Sequence, residues 1–452
     1  VVNPDDRVYI EAKKICTSLA HRFRNNNGYS RWTHKQVMDN TSILKKARYQ
    51  RAYRNLKEGN YDWNTFSKGQ AFIKFEKMPQ QKADDGAPGR LIQYRSFEYT
   101  YLLKSFLGPI WEGLKSSDMV INDYTGQRFK EVFTSGMNYT QVGRLVGDLW
   151  SRHEDCIALC IDHSFFDGHH HKYNLELEHL FWNSVVGSRY LKRLLNLQRE
   201  NRMRCKISGS TYKSTATRLS GEWTTAAGNS IINYLMLRTI FPFASVVVNG
   251  DDSIIFIKRL DLIKLCGTTS MDGVTKWTRS EFAKFGQQTK VDRIVGIIEQ
   301  IEYCQCSPVW FPNGYRMVRT PMRCLSRIQY TSHTNIDPKC YYTSVGLCEL
   351  ASNPGVPIMQ QFTLDLIRRG SGRISRDLLT DGLHYVSDED LDLKVQPIDL
   401  RTRQSFYLAF GYTVDQQIAF EKWFTSSPVK YNKKAWDGMS RKIAAANRLQ
   451  RR

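Results

Sequence analysis

Hydrophobic and polar positions along the chain fall into short elements of two different periods. Over residues 41–56 apolar positions recur at helical spacing among many Lys and Arg, which predicts a basic helix. Residues 66–100 read as strand, basic loop, strand; the loop over 77–89 carries Pro79, Asp84, Asp85, Gly86 and Pro88 and is irregular. Helices are expected over 100–150. Cys156-Ile157-Ala158-Leu159-Cys160-Ile161 is an unbroken apolar run of strand length, and Asp162 follows it directly. Leu177, Leu180, Phe181, Val185, Leu191, Leu194 and Leu195 predict one long bent helix, or two, over 173–197. A Gly-containing loop from Ser220 enters an apolar helix carrying Ile231, Ile232, Leu235 and Met236. Ser245–Asn249 and residues 253–257 are β-branched and aromatic, the two arms of a hairpin. A helix over 277–287 follows, then a hairpin over 302–318 turning at Pro312-Asn313-Gly314, with Cys304-Gln305-Cys306 in a strand. Beyond 330 the pattern is helical with polar loops, acidic over 379–393 and basic over 430–452. The class is α+β.

The hairpin tip changes the picture. Gly250 permits a tight turn, and the turn presents Asp251 and Asp252 between apolar arms. Hard cations want oxygen ligands gathered at one point, which few purely structural needs require. A lone Gly-Asp-Asp is nonetheless an ordinary turn sequence, so the reading needs a further acid from elsewhere. Asp162, at the end of its own apolar strand, supplies one. Asp167, five positions on, reads equally as a cap for a helix starting near His171. Thr225 and Asn229, four apart, share one helix face and present a hydroxyl and an amide. Ala226, Ala227 and Gly228 allow close backbone approach there.

Taken in order, these three elements resemble motifs A, B and C of positive-strand viral RNA-dependent RNA polymerases, and most closely the tombusvirus-like group. Asp162, Ser164, Phe166, Asp167 and His169 match its motif A, Ser220, Gly221, Thr225 and Asn229 its motif B, and Gly250-Asp251-Asp252 its motif C. Residues 301–305, Pro308, Met317, Val318, Arg319 and Pro321 resemble motif E and its flank, and residues 71–77 with 87–95 resemble motif F. Gly89 stands there as an insertion and Tyr94 replaces a proline, which leaves the path of that loop open. The resemblance covers about residues 45–330 and implies a closed right hand. Fingers would span 1–150, with motif F at about 71–95, and an insertion at 182–214. The palm, an antiparallel sheet backed by helices, would take 151–181 and 215–325. The thumb and a basic tail would take 326–452.

The same resemblance implies template-directed RNA synthesis from ribonucleoside triphosphates on an RNA template, replicating a viral genome by two-metal nucleotidyl transfer. Asp162, Asp251 and Asp252 would hold two Mg²⁺ ions, with Mn²⁺ as a substitute. Asp167, Thr225 and Asn229 would read the sugar, with Ser220 and Gly221 positioning them. An amide and a carboxylate offer a 2′ hydroxyl both donor and acceptor. Lys74, Lys77, Arg90 and Arg95 would line the nucleotide channel, and Lys290, at the motif D position, would protonate the leaving pyrophosphate. Template, nascent strand, nucleotides and other viral replication proteins would be partners. Host cytoplasm, at membrane-associated replication complexes reached through a region outside this chain, would be the setting.

Composition narrows the alternatives. The 452 residues carry 65 Lys and Arg against 44 Asp and Glu, a net charge of +21, which predicts an anionic partner. The basic residues are spread through the chain, which favours nucleic acid over a membrane surface. No apolar run reaches 18 residues, so no transmembrane helix is expected. The ten cysteines contain no Cys-x2-Cys pair, and His169-His170-His171 point in divergent directions, so zinc is not expected and reduced thiols are. The chain starts at Val1 without methionine, as a fragment or the downstream part of a longer product would. Two other readings compete: a reverse transcriptase or DNA polymerase on a related palm, against which Asp167 and Asn229 speak, and a non-catalytic RNA-binding protein, against which the intact acids speak.

Overall fold

The computed structural model describes residues 6–74, 84–86, 88–116, 121–122, 128–129, 132–331, 336–375 and 395–426. The strands in chain order are β1 (Lys68–Ile73), β2 (Leu91–Arg95), β3 (Ile121–Asn122), β4 (Arg128–Phe129), β5 (Cys156–His163), β6 (Glu200–Cys205), β7 (Thr211–Thr215), β8 (Ser245–Asn249), β9 (Asp252–Lys258), β10 (Thr289–Val295), β11 (Cys306–Phe311) and β12 (Gly314–Arg319). Helices fill the intervals, so the mixed α+β class holds. The chain divides into two compact units, one of Val1–Lys74, Pro88–Ser135 and Leu159–Ile294, the other of Phe75–Ala87, Gly136–Ala158 and Val295–Arg452.

Two four-stranded sheets organise the first unit. One has the order β10-β5-β9-β8. In it β5 is buried at every position except Asp162, as a strand covered on both faces must be. The strand runs through Asp162 to His163, two residues beyond the expected end, so Asp162 projects from the last rungs of the strand. The other sheet has the order β2-β1-β6-β7, with β1 and β6 parallel and the remaining pairs antiparallel. The helix Asp6–Asn27 packs on the helices Lys172–Val186 and Thr225–Ile240. The Tyr9 hydroxyl donates to Asn174 Oδ1 at 2.7 Å, and the Cys16 thiol to the Leu177 carbonyl at 3.4 Å. The apolar pattern over 173–197 resolves into two helices, Lys172–Val186 and Arg189–Asn196, broken by the left-handed Gly187 and restarted by the cap of Ser188.

In the second unit β11 and β12 form the expected hairpin, with Pro312 and Asn313 as its two-residue tip. Cys304 and Gln305 do not extend β11 as the sequence suggested. Both adopt positive φ (50° and 64°), a turn that lets only Cys306 enter the strand. The helix Tyr139–Ser151 lies on β12 with Gly143 against the backbone of Arg316; a Cβ there would come within 2.4 Å of its Cα, so glycine sets the close approach. Helices Pro338–Ser352, Met359–Arg369, Leu400–Phe410 and Val414–Ser426 pack around Phe362, Leu366, Phe406 and Phe424. The helical reading beyond 330 therefore holds. The charged stretches 379–393 and 430–452 lie outside the described residues.

No disulfide joins any of the ten cysteines. Among the described residues no helix is long and apolar enough to cross a membrane.

The imidazole of His163 is buried beneath the end of β5, with Nδ1 at 2.8 Å from Thr289 Oγ1. Burial pulls its pKa down to about 4. Above pH 6.5 the ring is neutral in folded and unfolded chains alike. Between pH 6.5 and 4 the unfolded chain takes up a proton that the folded chain refuses, so stability falls with pH by roughly 3 kcal/mol for this ring. Denaturation curves at pH 7 and 4.5 should show that loss, and His163→Gln should shrink it.

Candidate active site

Asp251 sits in a two-residue turn with Gly250, whose φ is 67°, between the paired residues Asn249 and Asp252. The turn is tied to the helix Thr225–Ile240 below it. Gly250 N–H donates to Ser230 Oγ at 2.8 Å, and the Asn233 amide donates to the carbonyls of Gly250 and Asp251, both at 3.1 Å. Ser230 in turn donates to Ala226 O at 2.8 Å, so the acid-bearing tip is held to that helix by side chains of residues 230 and 233, which are buried.

After Asp162 the chain makes a tight turn. Gly168 and His169 both donate from their backbone N–H to the Phe165 carbonyl, at 2.8 and 3.0 Å. Phe165 itself takes φ 50° and is 81% exposed, an unusual position for an aromatic ring. The turn is fastened at Ser164, whose N–H donates to Gln288 O at 2.9 Å. His171, not Asp167, caps the following helix, accepting from Tyr173 N–H. Asp167 is thereby released from the capping role and is paired with Asn229: the amide nitrogen donates to Asp167 Oδ1 at 2.7 Å. The other end of that amide accepts from Arg218 Nε at 3.0 Å. Arg218 is buried and paired with the equally buried Glu178. Glu178 also accepts from Trp182 Nε1 at 3.0 Å. A Cβ on Gly228 would lie 2.4 Å from the Glu178 carboxyl, so glycine is what admits this pair beside the helix.

The acids share one electrostatic neighbourhood. The Asp251 carboxyl is pushed above the usual carboxylate range, first by lost hydration and then by Asp167 and Asp162, while backbone hydrogen bonding and Arg90 oppose the rise. Asp162 is also raised, by lost hydration and by Asp292, with Lys290 opposing. Lys290 is exposed, paired with Asp292 at 2.5 Å, and feels Asp162 as well. Asp252 opens β9 opposite Asn249 and is exposed. Among the described residues no group of three His, Cys, Asp or Glu side chains is gathered tightly enough to cage a metal ion. Bare carboxylates that feel one another's charge repel. A hard divalent cation would complement the carboxylate oxygens of Asp162 and Asp251, both held above the usual carboxylate range.

A family model described as viral RNA dependent RNA polymerase matches residues 2–431. The chain belongs to this family. It is 28% identical over 421 residues to the RNA-directed RNA polymerase of Oat chlorotic stunt virus (isolate United Kingdom), covering 87% of this chain and 54% of that protein. It is 32% identical over 370 residues to the RNA-directed RNA polymerase of Tobacco necrosis virus (strain A), covering 78% of this chain and 48% of that one. The chain thus spans about half the length of these relatives.

Several residues of this polymerase-family chain sit elsewhere than the sequence suggested. Arg95 is buried: its Nε donates to Glu222 at 2.6 Å, one guanidinium nitrogen donates to Phe66 O at 2.8 Å, and the other to Asn201. A guanidinium so enclosed braces the protein and is not offered to a triphosphate. The Ser220 hydroxyl donates to Leu91 O at 2.8 Å and Gly221 N–H to Gln93 O at 2.8 Å, so both clasp β2 and neither joins the Asp167–Asn229 pair. The Thr225 hydroxyl donates to Leu219 O at 2.8 Å and closes its own loop. Lys74 and Arg90 are exposed and adjacent, with Lys74 N–H donating to Arg90 O at 2.7 Å. Lys77 lies outside the described residues. Glu178 and Arg218 escaped notice in the sequence, because nothing there marks a glutamate within an apolar helix and an arginine ahead of the loop as partners.

Proposed function

We propose that this chain copies RNA: it joins ribonucleoside triphosphates on an RNA template and so replicates the genome of a positive-strand RNA virus. The observation that carries this reading is that β5, which bears Asp162 near its end, and β9, which follows the Asp251 turn, are neighbours in one sheet, with the Asp251 carboxyl raised in part by Asp167 and Asp162. Asp162 and Asp251 are the residues to hold divalent cations, with Asp252 as a further oxygen donor at the same tip. Two bound magnesium ions, or manganese in their place, would activate the attacking 3′ hydroxyl and offset triphosphate charge.

The chain's own groups do the rest. Asp167 and Asn229 already form a carboxylate–amide pair, and a ribose 2′ hydroxyl can donate to the first and accept from the second. Arg218 fixes which end of the amide faces Asp167. Arg90 and Lys74 would meet the incoming phosphates, and Lys290 would deliver a proton to the departing pyrophosphate. In this reading the sheet β10-β5-β9-β8 is the palm of a right hand, the β2-β1-β6-β7 sheet belongs to the fingers, and the helices beyond 330 form the thumb. Template, product strand and nucleotides are the partners, with other viral replication proteins at membrane-associated complexes in the host cytoplasm.

Primer extension on an RNA template tests the assignment. Asn229→Ala should lower the preference for ribo- over deoxynucleotides by about 10-fold or more, since the partner of the 2′ hydroxyl is lost. An unchanged preference would remove the sugar-reading role. RNA binding should also weaken steeply between roughly 50 and 200 mM salt as counterions are released; a flat profile would contradict a phosphate-tracking surface.

A further inference from the structure

A cleft of about 900 Å³ opens beside β5 and is lined by none of Asp162, Asp167, Asn229 and Asp251. Its walls come from the turn after Ser164, the start of the helix Lys172–Val186, the end of the helix Met271–Ala283 and the approach to β10. The size lies within the range of sites for small organic ligands, roughly 300–1,000 Å³.

Its polar chemistry is unfinished. Gln287 lines the cleft and is 97% buried, yet neither its amide oxygen nor its amide nitrogen has a hydrogen-bond partner. His170, also lining it and 98% buried, has both ring nitrogens unpartnered. Leaving one buried polar group unpaired costs about 1–3 kcal/mol, and native proteins seldom leave such groups together without a use. Lys172, Arg279 and Lys290 line the same cleft, while no lining residue is acidic. Lys290 shares its charge with Asp292, so Lys172 and Arg279 supply most of the attraction for an anion. Tyr173 adds an aromatic ring.

We infer that this cleft, which adjoins the acid cluster at Lys290, is a second binding site for a nucleoside phosphate. A nucleobase edge offers the donor and acceptor that the Gln287 amide lacks, and the phosphates meet Lys172 and Arg279. The inference rests on the cleft's own side chains and does not require the polymerase reading.

The test is equilibrium binding of ATP, adenosine and inorganic pyrophosphate to the full chain in EDTA, without RNA. ATP should bind, and more tightly than either fragment. Gln287→Leu and Arg279→Ala should each weaken ATP by roughly 10-fold or more. Asp251→Asn should bind ATP as the natural chain does, and its primer-extension activity reports separately on the polymerase reading. Gln287→Leu removes an unpaired buried amide, so its melting temperature should hold or rise, and lost binding would not reflect unfolding. The inference is overturned if ATP fails to bind under these conditions. It is equally overturned if both variants bind ATP like the natural chain, or if pyrophosphate binds as tightly as ATP with no dependence on Gln287.

Discussion

Replacing Asp251 with asparagine should abolish nucleotide incorporation and leave the protein folded. A carboxylate that holds a divalent cation at developing charge supplies several kcal/mol, and about 4 kcal/mol is a thousandfold in rate. A loss of roughly 10³-fold or more is therefore expected in primer extension. The fold should tolerate the change, because the ionised Asp251 is disfavoured by lost hydration and by Asp167 and Asp162. Its folded pKa lies above the unfolded value, so the charged carboxylate opposes folding at neutral pH. The amide carries no such charge. In EDTA the variant should melt at or slightly above the temperature of the natural chain. Magnesium should raise the melting temperature of the natural chain and leave the variant nearly unmoved. Equal incorporation by the two proteins would end the catalytic assignment.

Glu178→Gln should produce the largest loss of stability. Glu178 and Arg218 are a buried pair, and Arg218 hands its Nε to the Asn229 amide. Removing the charge of one partner leaves a buried guanidinium uncompensated, which costs about 3–5 kcal/mol. The variant keeps the shape of the side chain, so the loss reports charge and not a cavity. Asn229 also loses its fixed orientation. At temperatures where the variant remains folded, ribo- over deoxynucleotide preference should fall along with stability, as it does for Asn229→Ala. Urea denaturation gives the first quantity and paired primer-extension rates the second. An unchanged midpoint would mean that the pair is not buried in solution.

The parts of the site legible in the sequence are those where chemistry and hydropathy coincide. The apolar arms around Gly250-Asp251 could form little except a hairpin, and the run from Cys156 to Ile161 could bury only as a strand. The β6–β7 hairpin went unseen because of the six residues in β6 Met203 is the one large aliphatic side chain, so no alternating pattern exists to read. β3 and β4 are two residues each, too short for any periodicity. In the sequence Arg95, a guanidinium among basic residues, reads as a phosphate ligand, whereas its partners Glu222, Phe66 and Asn201 converge only in the fold. Glu178 was hidden for the same reason: its mate Arg218 is 40 residues away. Ser220 and Thr225 show a further limit. Their residue types suit sugar recognition, and their hydroxyls are spent on the carbonyls of Leu91 and Leu219.

The carboxylates of Asp162 and Asp251 are expected to face a common space and hold cations there. Anomalous scattering from crystals of this chain grown with manganese measures it directly. Two manganese peaks in contact with both side chains are expected. Manganese at neither carboxylate, or the two carboxylates turned to separate surfaces with no shared peak, would contradict it.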